Sequence, residues 1–175
     1  MHQFDLGSLV LRIVFGLFFA YHGYNKFFGP SGLQGTAGWF ASIGMRWPAW
    51  QARLAATTEV GSGLMLAVGL LTPFASAGVI GVMTVAIVVS HAKVGFFIFK
   101  PGQGWEYCAS IAVAAWVIAT VGPGEWPVDH ALHIEWNGWV NSIIAAVLGT
   151  GGALSQLIIS FRPPGADPLT AKDAA

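Results

Sequence analysis

The sequence predicts an all-α membrane protein: a four-helix transmembrane bundle extended by a fifth, C-terminal transmembrane helix. Composition is the first reason. Of 175 residues, 55% are hydrophobic and only 9% charged, with a mean hydropathy of +0.65, which leaves too little polar surface to cover a water-soluble fold. Patterning is the second, because the apolar residues gather into runs close to the ~20 residues that cross a hydrocarbon core.

The first run is residues 9–28. It reads as a retained helix rather than a cleaved secretory signal, since Asp5 stands where a basic region belongs and no small-residue cleavage site follows. Residues 29–53 read as an interfacial loop, in which Trp39, Phe40, Ile43, Trp47 and Trp50 recur at roughly helical spacing and tryptophan favours the headgroup level. The second and third runs, 54–71 and 74–96, are separated only by Leu71-Thr72-Pro73. Proline in a first helical turn forfeits no hydrogen bond, and the residue before it leaves the helical region, so the two runs form an antiparallel hairpin. A fourth run covers 107–121. The fifth, 140–161, is diluted by Gly149, Gly151, Gly152, Ser155 and Gln156. Residues 1–161 thus form one transmembrane helical domain, followed by a polar tail over 162–175.

Five spans place Lys26, Arg46, Arg53, Lys93, Lys100, Arg162 and Lys172 on one side, against Arg12 with Asp5, Glu125, Asp129 and Glu135 on the other. That asymmetry puts the basic loops in the cytoplasm and the N-terminus outside, in a multi-pass protein.

Ionisable side chains recur where the runs begin and end. His22 and Lys26 close the first, Glu59 lies inside the second, His91 and Lys93 close the third, and Glu106 and Tyr107 open the fourth. Threading the helices back and forth brings these residues to one end. An ionisable group at a helix centre costs about 2.5 to 3.5 kcal/mol on insertion scales, so such a cluster marks a candidate site. His22 and Lys26 are four apart, and Arg12, Gly16, Phe19, Gly23 and Lys26 form a stripe on one helix face. Ala52, Ala55, Ala56, Glu59, Ser62 and Gly63 form a second stripe, whose small residues admit a close neighbour and turn Glu59 into the bundle. Thr84 and His91 are seven apart, and Glu106, Ser110 and Val113 define a face of the fourth helix. The expected site is a ligand pocket of His22, Lys26, Glu59, His91, Glu106 and Tyr107, suited to proton handling and to a polar, quinone-like headgroup. The same residues also allow a structural reading, in which Glu59 with Lys26, or Glu106 with Lys93, are ion pairs that fix helix packing.

Other classes find little support. Eight scattered Lys and Arg form no basic patch for nucleic acid. One cysteine, Cys108, precludes an internal disulfide and reads as a packed thiol. His130 and His133, beside Asp129 and Glu135, lack a nearby Cys or third His, so a polar interfacial segment is expected there and no metal. His22 and His91 offer two histidines at similar depth, but no covalently bound cofactor is expected. No dinucleotide, P-loop or nucleophile-elbow motif occurs, and no repeat or broken-helix pair suggests a transporter. Small residues from Ala77 to Gly81 permit a homodimer.

The ordered set Leu11-Arg12, Gly16, His22-Gly23, Lys26, Gly29, Glu59, Gly61, Gly69-Leu70-Leu71-Thr72, Met83, His91, Glu106-Tyr107, Gly122-Pro123-Gly124 and Asp129 resembles the DoxX family of small bacterial membrane proteins. The resemblance runs over about residues 9–129. It departs at Pro127, where the family usually has serine, and in the apolar segment from Val140, which four-helix members lack. It implies a plasma-membrane bundle associated with quinone-linked sulfur oxidation, as in thiosulfate to quinone oxidoreductase subunits, or with thiol-redox complexes. The expected function is a membrane subunit of a quinone-linked oxidoreductase system. Because the chain carries no cofactor motif, electrons would come from a partner redox protein. Lys26 or His22 would polarise a carbonyl oxygen while Glu59 or His91 exchanges protons. The alternative is a non-enzymatic membrane anchor or assembly factor for a redox complex.

Overall fold

The computed structural model describes residues 2–134 and 138–163; Glu135, Trp136 and Lys172, with nearly all of the tail, lie outside the described residues. The elements are α1 (His2–Phe28), α2 (Gly32–Ser42), α3 (Pro48–Val68), α4 (Thr72–Ala86) running on into a π-helical turn (Ile87–His91), α5 (Glu106–Val121), α6 (Val128–Ala131) and α7 (Gly138–Ser160). Three stretches are long and apolar enough to cross a membrane: Gln3–Phe28, Thr72–His91 and Gly138–Ser160. The chain is an all-α membrane bundle. α5 is apolar but shorter, and α3, with 21 residues, is diluted by Gln51, Arg53, Thr57, Thr58 and Glu59.

These five helices run between the same two ends of the molecule. At one, the turn end, Asp5 at the start of α1 receives a hydrogen bond from the Glu125 amide, and Asp129 meets the α3–α4 turn. At the other, the loop end, Lys26 meets Glu59, His91 meets Tyr107 and Met45 bridges to Phe161. α7 runs parallel to α4, since Gly149 packs on Ala77 and Ile80 while Leu157 clusters with Val89.

Small residues set the tightest contact. A Cβ on Gly16 would lie 2.6 Å from the Ala67 nitrogen and the Gly63 oxygen, and one on Gly23 would lie 2.7 Å from the Ala56 oxygen and the Val60 nitrogen. α1 and α3 therefore touch backbone to backbone, the arrangement by which membrane helices gain dispersion contact without a hydrophobic driving force. On α3, Ala52, Ala56, Glu59, Ser62 and Gly63 are buried as the small-residue stripe expects. Leu66, Val79, Ile80, Met83, Cys108, Ala115, Ile118 and Ala145 form the core behind them. The outer faces stay apolar, with Phe18, Tyr21, Ile143, Val147 and Ile158 exposed, which suits hydrocarbon rather than water.

The turn end is held by side chains reaching across it. Leu71 sits in the left-handed region (φ 46°), and the buried Asp129 accepts hydrogen bonds from its amide (2.7 Å), from the Thr72 amide (3.0 Å) and from the Thr72 hydroxyl (2.9 Å). Asp129 thereby satisfies amides that the start of α4 leaves unpaired. Pro127 packs directly on Gly69, whose left-handed backbone (φ 69°) and missing Cβ both make room for it. Arg12 donates to the Ala67 and Trp126 carbonyls, tying α1 to α3 and to the segment after α5.

Boundaries differ from the sequence reading at three places. α1 begins before residue 9, because Asp5 and Ser8 are paired at the turn end rather than left in solvent. The 29–53 loop contains α2 and the start of α3. The third helix stops at His91 instead of Phe96, where Gly95 and Gly102, both left-handed, fold residues 92–105 into a compact loop.

Candidate functional site

Glu59 projects from the small-residue face of α3 and is nearly inaccessible (5% side-chain exposure). Gly23 lets α1 close on it, and one turn later Lys26 places its ammonium between the two carboxylate oxygens, 2.8 Å from Oε1 and 2.5 Å from Oε2. This is the one Lys–carboxylate pair among the described residues. An ammonium has three protons to donate, so this pairing with two oxygens does not exhaust it.

His91 ends the π turn, a distortion that shifts the facing of a side chain relative to the α-helical phase. Its Nδ1 lies 2.7 Å from the Gln103 carbonyl oxygen and its Nε2 2.8 Å from the Tyr107 hydroxyl. A carbonyl can only accept, so Nδ1 carries the proton, and in the neutral ring Nε2 accepts from Tyr107. The two rings meet edge to face, with centroids 5.1 Å apart.

Between these two pairs the helices enclose a cavity of about 490 Å³, within the usual range for small-molecule sites. Phe15, Phe19, Val82, Met83, Val89 and Ile111 give it apolar walls, and His22, Lys26, Glu59, His91, Tyr107 and Gln156 supply its polar groups. Phe18 and Leu148 also line it, yet they are 66% and 51% exposed. They lie on α1 and α7, which pack mainly on α3 and α4 respectively, so the cavity has a margin facing the bilayer.

Five of the six residues expected at the pocket therefore line one cavity: His22, Lys26, Glu59, His91 and Tyr107. Glu106 does not. Its Oε2 accepts from the Ile98 amide (3.2 Å) in the 92–105 loop, and the face it shares with Ser110 and Val113 points outward, Val113 being 58% exposed. One residue is about 100° of rotation on a helix, which is why Tyr107 and Ile111 enter the cavity from α5 instead. Glu106 accordingly makes no ion pair with Lys93.

Three contributors escaped the sequence reading. Gln156 lines the cavity and donates to the Gln51 side chain (2.6 Å), linking α7 to α3; its signal was a lone amide within an apolar run. Trp39 and Phe40 of α2 line the cavity as well, although their spacing suggested only an interfacial belt. Among the described residues, no three His, Cys, Asp or Glu side chains gather as a metal site requires. His130 and His133 are exposed, and Cys108 is wholly buried.

Fold and cavity define a small helical membrane protein with an amphiphilic chamber between its helices. The family model described as DoxX matches residues 7–92, a stretch that carries α1 to the π turn and with them Lys26, Glu59 and His91. Over this segment the chain matches the DoxX family. Among curated proteins it is similar to "Putative oxidoreductase CatD" of Bacillus subtilis (strain 168), 37% identical over 70 residues, or 40% of this chain and 48% of that protein. The match therefore spans about half of the relative's length. No solved structure matches the chain significantly.

Proposed function

We propose that this protein is a quinone-binding membrane subunit of an oxidoreductase system, set in the plasma membrane with its loop end in the cytoplasm and served by a partner redox protein. The observation that carries this reading is the cavity itself: apolar walls, a margin open to hydrocarbon, and the Lys26–Glu59 and His91–Tyr107 pairs within one chamber. A lipid-soluble ring bearing two carbonyl oxygens fits that combination, because the walls accept its body while donors meet its oxygens. Both the DoxX match and the relative's oxidoreductase name agree with it.

Bound quinone would supply reversible two-electron, two-proton chemistry; the side chains supply position and protons. The Lys26 ammonium has donor capacity left for an oxygen in the cavity, and Glu59 holds the ammonium in place. Tyr107 and His91 form a donor that can switch. When His91 is neutral, the Tyr107 hydroxyl points at Nε2; when both ring nitrogens are protonated, Nε2–H points at the Tyr107 oxygen and the phenolic proton turns to the cavity.

One observation favours a second reading, a membrane anchor for a redox complex. Lys26 and Glu59 close the α1–α3 seam, and a Cβ on Gly23 would lie 2.8 Å from that of Glu59, so the pair also fixes packing. Gly152 separates the two readings, since it lines the cavity and an added Cβ there meets nothing within 4 Å. Gly152→Phe should abolish binding of a short-chain quinone to the purified protein with its melting temperature unchanged. Undiminished binding in that variant would remove the cavity as the site.

A further inference from the structure

The end of α7 does not simply stop at the loop end; it pairs with the segment between α2 and α3. The Arg46 amide donates to the Ser160 carbonyl (2.7 Å), the Arg162 amide donates to the Gly44 carbonyl (2.8 Å), and Met45 and Phe161 form an antiparallel bridge between them. Side chains alternate across such a pairing. Met45 is buried and takes Phe161 with it to the inner side, where the two share a core cluster. Arg46 and Arg162 flank this bridge on the two segments and are both exposed, while Ser160, whose carbonyl accepts from the Arg46 amide, is itself buried.

Both guanidinium groups are held in place without an acidic partner. Arg46 lies over the Trp47 ring, its Cζ 4.5 Å from the centroid, a stacking that orients its plane. Arg162 uses Nη1 on the Ile158 and Phe161 carbonyls (3.0 and 2.7 Å), which leaves Nη2 and Nε for another acceptor. Among the described residues neither arginine has a carboxylate within ion-pair distance. Beside them Trp47 and Trp50 are 53% and 63% exposed, as suits rings at headgroup depth. The charge around them is one-sided: Arg53, Lys93 and Lys100 also lie at this end and are exposed, while its acidic groups among the described residues are Glu59, paired with Lys26, and Glu106, engaged with the Ile98 amide.

We propose that Arg46 and Arg162, flanked by Trp47 and Trp50, form a clamp for the phosphate group of an anionic phospholipid. Paired guanidinium forks match phosphate oxygens in geometry as well as charge, and the tryptophans set the depth at which a phospholipid phosphate lies. The site is distinct from the cavity and does not depend on what the cavity holds.

The test is native mass spectrometry of the purified full-length protein with equimolar phosphatidylglycerol and phosphatidylcholine in detergent. The wild type should favour phosphatidylglycerol adducts. Arg46→Gln/Arg162→Gln should lower that preference about tenfold, while Lys93→Gln/Lys100→Gln leaves it in place. Arg46→Lys/Arg162→Lys keeps the charge but loses the fork, so its preference should fall between wild type and the glutamine variant; it carries the test if the glutamine variant does not fold. Excess inorganic phosphate that strips the adducts would assign recognition to the phosphate group alone, and adducts that survive would assign it to the phosphate within its lipid. Equal adducts of both lipids on the wild type, or a preference untouched by either arginine variant, would overturn the proposal.

Discussion

At the scale of single residues, Lys26 and Glu59 carry most of the weight. Both lie within or beside membrane-spanning segments, and Glu59 is nearly inaccessible, so each charge depends on the other. Removing one partner of a buried pair typically costs about 3 to 5 kcal/mol, because the remaining charge is stranded, whereas replacing both with neutral groups is often close to neutral. Lys26→Met and Glu59→Gln should therefore each lower the thermal stability of the purified protein, and the double variant should recover much of the loss. A double variant as unstable as the sum of the two singles would show that the residues do not act as a pair. The ionisable character of these positions was legible in the sequence, because charge in an apolar run is conspicuous. The outward facing of Glu106 was not, since it depends on the phase in which α5 leaves the 92–105 loop and on the Ile98 amide that claims its carboxylate.

At the scale of elements, the α1–α3 seam is the contact with least tolerance. A methyl group on Gly23 would meet backbone atoms of α3, which cannot yield as a flexible side chain does. Overpacking of this kind typically costs about 1 to 3 kcal/mol, so Gly23→Ala should destabilise the protein by that order in a thermal or denaturant assay. Gly151, whose added Cβ meets nothing within 4 Å, provides the control, and Gly151→Ala should be neutral or slightly stabilising. Equal effects at both positions would mean that helix propensity rather than close approach decides the outcome. The seam was readable because small residues recur at helical spacing on both helices. The π turn was not, since nothing in Ile87-Val88-Val89-Ser90-His91 marks the extra residue that sets the facing of His91. Nor was the role of Asp129, which lies 58 positions from the Leu71 amide it accepts; long-range capping leaves no local pattern. Pro127, two residues before Asp129, packs on Gly69 beside that cap.

At the scale of the whole molecule, the helical membrane class follows from composition alone, while the cavity is a property of assembly. Its walls come from six helices and the π turn, and α2, which the sequence suggested only as an interfacial loop, closes one side. Charge asymmetry between the ends leads to a topology that chemistry can test. Cys108 is buried and should stay silent to a membrane-impermeant maleimide. A cysteine replacing Glu125 at the turn end should label in intact cells, and one replacing Lys100 at the loop end should label only after the membrane is opened. The reverse pattern would invert the orientation and place the loop end outside.

Quinone held by the polar groups of the cavity should be directly visible by mass spectrometry of the organic extract from protein purified in mild detergent, wild type beside Glu59→Gln. Near-stoichiometric quinone is expected with the wild type, and its loss from Glu59→Gln, a variant that is less stable but still folded and membrane-inserted at the temperature of extraction. Absence of quinone from the wild type, or its full retention by Glu59→Gln, would contradict that expectation and favour the anchor reading.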